Sequence, residues 1–283
     1  MTTIDCLQQP LLITHVGYVG ATGTGRADLL AGIDDPERSA GLPPVVGFID
    51  SNFNLAVSHA VNQVKAELNP SHGERTGFIL ASAYGDITTA DIASQRLARG
   101  RVQNPLLFYQ SIPNSILGHL SRAEDFTGPM SCFSAGSMLL THALVMAELV
   151  LAEGSADRIL IVGVDLARGD RIRATEERVA AQGIELRTAA PKADTVVVLA
   201  VQADTASRTT DGMQISLASS GPMGAGTKQG DSIAAFVDVG RAFAAESSSE
   251  QTVLDVCDVR TLEVEYRLVR VGGASLVVSE GSR

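Results

Sequence analysis

The chain has little cysteine, no basic block and no membrane-length apolar run, and each absence narrows what it can be. Its three cysteines, Cys6, Cys132 and Cys257, are odd in number and widely spaced. They form neither a disulfide framework nor a zinc-ligand pattern, and they suit a reducing compartment. Lys and Arg total 22 against 32 Asp and Glu, a formal charge of −10. Nucleic acid is therefore not an expected partner. The densest basic candidates, Arg168, Arg171, Arg173 and Arg178, read as a solvated face; an acidic carrier protein would need a local patch of this kind. No apolar stretch reaches the ~18 residues of a membrane span uninterrupted, so no membrane partner is expected. The opening MTTIDCLQQP lacks the basic region and apolar core of a secretory leader, and a cytoplasmic location is expected. Neither a tandem repeat nor a low-complexity tract is present. The glycine pairs at 224–226 and 272–273 lack the strand–helix setting of a phosphate loop, so neither a cofactor nor a metal is expected.

What is present is a core-forming composition, 45% apolar with 19% charged residues over 283 positions, enough for one large domain or two smaller lobes. The chain is organised around Gly128 to Asp165, which reads as strand, sharp turn, helix, strand. The helix, Ser137 to Ala152, is apolar almost all the way round, and such a helix is expected to be buried on every side. Gly154 suits the position after its end. Arg158 to Val162 reads as an inner strand of a parallel sheet. Ser137, after Ala135-Gly136, sits where a nucleophile turn would lie, and a helix N-terminus there would aim backbone N–H groups at a ligand.

Elsewhere, Pro10–Val19 reads as a first strand and residues 26–33 as a short helix. Asn52–Leu68 carries apolar residues at helical spacing. Residues 76–82 form a short buried strand, Thr89–Ala98 a helix, Asn104–Tyr109 an extended segment and Ser111–Leu120 a further helix. Glu176–Gly183 is a candidate helix. Residues 195–201 and 213–218 are strands, a loop follows from Ser219, and Ile233–Ala245 can form a helix. Three strands close the chain, at 252–257, 262–271 and 274–278. Strands alternating with helices argue an α/β layered fold.

The segments IPNSILGHLS (112–121), Gly128-Pro129 and GSADRILIVGVD (154–165) resemble, at matching spacing, the β-ketoacyl synthases of the elongating type. The glycine-rich 270–278 is similar to that family's last strand. The resemblance implies a thiolase-like α/β fold: mixed five-stranded sheet layers with a buried helix between them, in a dimer. It places residues 1–218 in an N-terminal ketosynthase-like lobe and 219–283 in a C-terminal lobe that must be reduced. It also implies that the strand before the nucleophile pairs across the dimer, here Met130, Ser131, Cys132, Phe133 and Ser134. An unpaired apolar edge is an aggregation liability, so a partner chain is expected.

Two departures bear on chemistry. In register, the family's nucleophilic cysteine falls on Ser137; Cys132 lies five residues earlier and reads as a small buried core residue. The family also uses two histidines of the second lobe to stabilise charge, whereas no histidine follows His142. A serine needs a neighbouring base to act as a nucleophile, and His142 points ~140° round the helix from Ser137. His119 and His142 read as packing or interface residues.

The reading is therefore a non-catalytic subunit of the chain-length-factor type. It pairs with a catalytic ketosynthase in a heterodimer and walls off the acyl tunnel with Ile112, Ile116, Phe133 and Met138. Acyl carrier protein would visit mainly through the partner, in fatty acid, polyketide or polyene synthesis. The alternative is an acyltransferase or hydrolase with Ser137 as acyl acceptor.

Overall fold

A computed structural model describes residues 7–20, 23–31, 41–48, 51–68, 74–100, 109–135, 138–167, 169–183, 192–204, 212–222, 233–245, 252–259 and 262–271. The elements among them are β1 (Leu11–Gly20), β2 (Gly23–Thr24), α1 (Arg26–Ala31), α2 (Asn52–Glu67), β3 (Thr76–Ala81), α3 (Ile87–Ala98), α4 (Ser115–Glu124), β4 (Met130–Phe133), α5 (Leu139–Ala152), β5 (Arg158–Asp165), α6 (Asp170–Ala181), β6 (Thr195–Ala203), β7 (Gly212–Pro222), α7 (Ala234–Ala244), β8 (Thr252–Val259) and β9 (Leu262–Val271).

The strands join one sheet in the order β4-β3-β5-β6-β1-β7-β9-β8, with β2 hairpinned onto β1. Its first five strands are mixed. β3 pairs parallel with β4 and β5, while β6 runs antiparallel to both β5 and β1. The expectation that β5 lies in a wholly parallel setting is therefore corrected: it is parallel to β3 on one side only. The expected mixed five-stranded layer is present, and the described strands that follow it form the antiparallel trio β7-β9-β8. The trio is attached to β1 through Leu11–Ile13 against Met213–Ile215. The strand expected at 213–218 continues through the assumed loop to Pro222, so the division at 218/219 falls inside β7. Helix α6 begins at Asp170, six residues before the sequence pattern suggests. The segments expected at 104–108 and 274–278 lie outside the described residues.

Period-two alternation explains the central strands. All eight residues of β5 are buried, because both sheet faces are covered. Leu160, Val162 and Val164 face a core shared with Phe53, Ala56, Val57, Ala60 and Val61 of α2. Ile159 and Ile161 face the opposite core, shared with Leu139, Leu140, Ala143 and Leu144 of α5 and Phe236 and Val239 of α7. Helix α2 starts where the Ser51 hydroxyl accepts from the Phe53 N–H at 3.3 Å, an N-cap. It lies so close to β1 that a Cβ on Gly17 would run into the Ala60 carbonyl.

Helix α5 departs from the expectation of burial on every side. Leu139, Leu140, Thr141, Ala143, Leu144 and Ala147 are buried. His142 is exposed, Val145 and Met146 are half-covered, and Leu149 is 58% exposed. These four positions are spaced i, i+3, i+4 and i+7, one face of a helix. The apolar composition thus serves two surfaces, an inner one against the sheet and an outer one left open within the single chain. No helix among the described residues is long and apolar enough to cross a membrane.

Candidate functional site

The C-terminal ends of β3, β4 and β5 and the heads of α2 and α5 gather at one end of the first half-sheet. Open α/β sheets bind ligands at the carboxyl ends of their parallel strands. Gly128-Pro129 delivers the chain into β4 at tight tolerance. The Gly128 N–H donates to the Thr76 carbonyl at 3.0 Å and the Phe78 N–H to the Pro129 carbonyl at 2.9 Å. A Cβ on Gly128 would come within 2.6 Å of the Gly77 nitrogen, so that motif glycine is required by close approach of β4 to β3.

Among the described residues β4 pairs with β3 alone, and no described strand lies along its other edge. Met130 is 49% exposed, Ser131 and Phe133 are half-buried, and Cys132 is exposed. The reading of Cys132 as a buried core residue is corrected: alternation along an edge strand turns its side chain outward. The surroundings it does have withdraw it enough from water to push its thiol up from the ordinary range, which favours the unreactive protonated form. The Phe133 ring meets the exposed His142 of α5 edge-on, centroids 6.4 Å apart. The open edge and the open face of α5 are therefore continuous.

After Phe133 the chain passes Ser134, whose hydroxyl donates to the Ala83 carbonyl at 2.9 Å. Ser137 itself lies outside the described residues. Met138, the N-cap residue of α5, has φ 58°, the left-handed region, where a non-glycine side chain is held only by its surroundings. Met138 is buried in the α5-side core and Phe133 packs against it. Ile116 lies fully buried in the core on the other side of the sheet, and Ile112 is half-buried at the turn leading into α4. The four residues assigned to a tunnel wall therefore do not share one core: Phe133 and Met138 do, and Ile116 is separated from them by the sheet.

The same end carries two buried carboxylates that sequence reasoning missed. Asp165, fully buried, accepts from the Ser82 hydroxyl at 2.7 Å and from the N–H groups of Ala83 at 3.0 Å and Tyr84 at 3.2 Å. Asp86 caps α3 through the Thr89 N–H at 3.0 Å and also accepts from the hydroxyls of Ser51 and Thr89, each at 2.8 Å. Asp86 is a readable N-cap residue; Asp165 closes the 154–165 segment singled out above, but nothing local assigns its donors, which lie more than eighty positions upstream.

Among the described residues the histidines are dispersed. His119 meets Phe48 edge-on at 5.7 Å. His15, half-buried in β1, contacts the Thr14 hydroxyl at 3.0 Å and is pushed below its usual range by burial, with Glu67 opposing. Among the described residues no cluster of His, Cys, Asp and Glu could hold a metal ion.

At the far ends of the same strands, Arg158 and Glu74 form a buried ion pair at 2.7 Å. Beside it Arg75 pairs with Asp157 at 3.3 Å. The Asp-Arg of the 154–165 motif thus fastens β5 to β3.

No curated protein matches the chain. Among solved structures it is similar to a chain of the ketosynthase ApeO in complex with its chain length factor ApeC from Xenorhabdus doucetiae. That match has TM-score 0.67 and 15% identity, covering 92% of this chain and 99% of that one. It is similar to a chain of the ishigamide ketosynthase/chain length factor with TM-score 0.68 and 14% identity, covering 93% and 100%. The type II polyketide assembly AntDE:AntF, an acyl-carrier protein in complex with its ketosynthase, matches with TM-score 0.58 and 12% identity, covering 94% and 100%. At these identities the likeness speaks for the fold, which is that of ketosynthases. The family model described as "Beta-ketoacyl synthase, N-terminal domain" matches residues 55–249, well over half the chain. The chain belongs to the β-ketoacyl synthase family.

Proposed function

We propose that this chain is a non-catalytic, chain-length-factor-type subunit that pairs with a catalytic ketosynthase and closes one side of its acyl cavity. One observation carries the reading: the edge of β4 that no described strand pairs and the open stripe His142, Val145, Met146 and Leu149 of α5 form one continuous, largely apolar face. A lone chain gains nothing from such a face, whereas a partner strand would satisfy its backbone groups and cover its side chains. The sequence supports the non-catalytic half of the reading. Serine stands at position 137, where the family carries its nucleophilic thiol, and no histidine follows position 142 to match the family's second-lobe imidazoles. Phe133 and Met138 are the wall residues this reading retains; an added methylene pressed against such a wall costs about 1–3 kcal/mol. Acyl carrier protein would deliver its cargo mainly to the partner.

The test is co-expression with a candidate ketosynthase, purification, and incubation of both the complex and the isolated chain with an acyl thioester. The expected result is a one-to-one complex, with acylation by mass spectrometry on the partner alone. Acylation of Ser137 in the isolated chain overturns the proposal in favour of an acyltransferase or hydrolase.

A further inference from the structure

The turn that follows β3 is held from two sides. From below, Asp165 at the end of β5 binds the Ser82 hydroxyl and the N–H groups of Ala83 and Tyr84. The Ser82 oxygen also accepts from the Gly85 N–H at 2.7 Å, and Gly85 takes φ 63°, a conformation suited to glycine. On the other side the turn grips the exit of β4. The Ser82 N–H donates to the Phe133 carbonyl at 3.3 Å, and the Ala83 carbonyl accepts from Ser134 at 2.9 Å. Both grips fall on the last residue of β4 and the one after it. Four residues beyond Ser134 stands Met138, nearly buried and left-handed at the head of α5. Such a backbone persists only where its surroundings over-determine it.

We propose that Asp165 is a positioning residue. Through Ser82 and Ala83 it fixes the exit of β4, and so sets where the head of α5 is presented to the acyl cavity. The last step rests on the reading of this chain as a ketosynthase-partner subunit; the mechanical step does not. The carboxylate is suited to the task because it is acceptor-only, with room for several donors on two oxygens. The three short contacts converge on Oδ1, and only the Ala83 N–H also reaches Oδ2, at 3.3 Å. Asp165→Asn removes the negative charge that strengthens all of them and sets an NH₂ against the Ala83 N–H, so it weakens the grip without changing its volume.

The experiment compares wild type, Asp165→Asn and Glu74→Gln. Glu74 pairs with Arg158 at the opposite ends of the same two strands, so its variant reports ordinary loss of stability. Hydrogen exchange is read on the isolated full chain, and product length is read in complex with the ketosynthase. Expected for Asp165→Asn is exchange at least about tenfold faster in peptides covering 133–142, little change in β6 and the far half of β5, and a broadened product-length distribution. Glu74→Gln should lower the melting temperature and leave product lengths as in wild type. Unchanged exchange at 133–142, or an equal rise all along β3 and β5, overturns the proposal. So does a loosened turn with unchanged products. Failure of the wild-type chain to associate with a ketosynthase rejects the function proposed above instead, and the exchange comparison then decides the role of Asp165 by itself.

Discussion

Thr141 of α5 and Tyr266 of β9 share a buried hydrogen bond between their hydroxyls, 125 residues apart in sequence. It joins helix α5 to the antiparallel trio β7-β9-β8, and Tyr266 is wholly buried. Tyr266→Phe removes the bond while keeping the ring. Its expected cost is about 0.5–1.5 kcal/mol, whereas Tyr266→Ala also opens a cavity and should cost about 3–5 kcal/mol. Urea unfolding of the two variants checks the order. Equal losses would mean that the hydroxyl, not the ring, fastens the halves.

At Gly163 the Phe236 ring of α7 lies directly against the sheet. A Cβ there would meet the Phe236 ring at 2.6 Å. Gly163→Ala is expected to destabilise by about 1–3 kcal/mol through overpacking. Phe236→Leu in the same chain should recover part of that loss, because contacting residues couple. Additive losses in a double-mutant cycle would show that the ring does not bear on this glycine.

His15 supplies a pH dependence. Burial, with a smaller contribution from Arg158, holds its pKa below the ordinary value, against the pull of Glu67. The unfolded chain therefore takes up a proton first, near pH 6.5. The stability associated with neutral His15 is full above about pH 6.5 and is lost as pH falls from there through the lower folded value. Unfolding free energies of wild type and His15→Gln between about pH 7 and pH 5 should show a smaller slope in the variant. Parallel slopes would remove His15 from the account.

Cys132 reports on the β4 edge. Its side chain is exposed, yet its thiol is pushed up by partial burial, so alkylation in the isolated chain should go to completion, but slowly at neutral pH. Formation of the ketosynthase complex should slow it by at least about tenfold, as expected for a covered strand. Peptide mass spectrometry assigns the label to this cysteine. Equal labelling in the free chain and the complex would place the interface elsewhere; protection in the chain alone would indicate self-pairing through the same edge.

Much of the first half was legible from local pattern. The continuous apolar runs of β3, β5 and β6 and the helical spacing of Phe53, Ala56, Val57, Ala60, Val61 and Val64 are local patterns, as is the glycine that ends α5. The segment 112–165 carries the family in its spacing alone. Ser219, Ser220, Gly221 and Pro222 have turn chemistry, which predicts a strand end at 218, yet pairing with Leu262 to Glu265 of β9 draws them into the sheet. Sequence proximity does not show that Ile116 and Met138 lie in cores on opposite sides of the sheet.

By itself, the sequence determined which residues are apolar, where their periods start and stop, that Ser137 replaces a thiol, and that no imidazole lies downstream of His142. Tertiary structure alone decided which of two faces of α5 meets the sheet, that Cys132 points out of an open edge, and that Asp165 finds its donors on Ser82, Ala83 and Tyr84. The physical reason is range. Periodicity and steric preference act over a few residues, while burial and hydrogen-bond satisfaction depend on segments that only the folded sheet brings together.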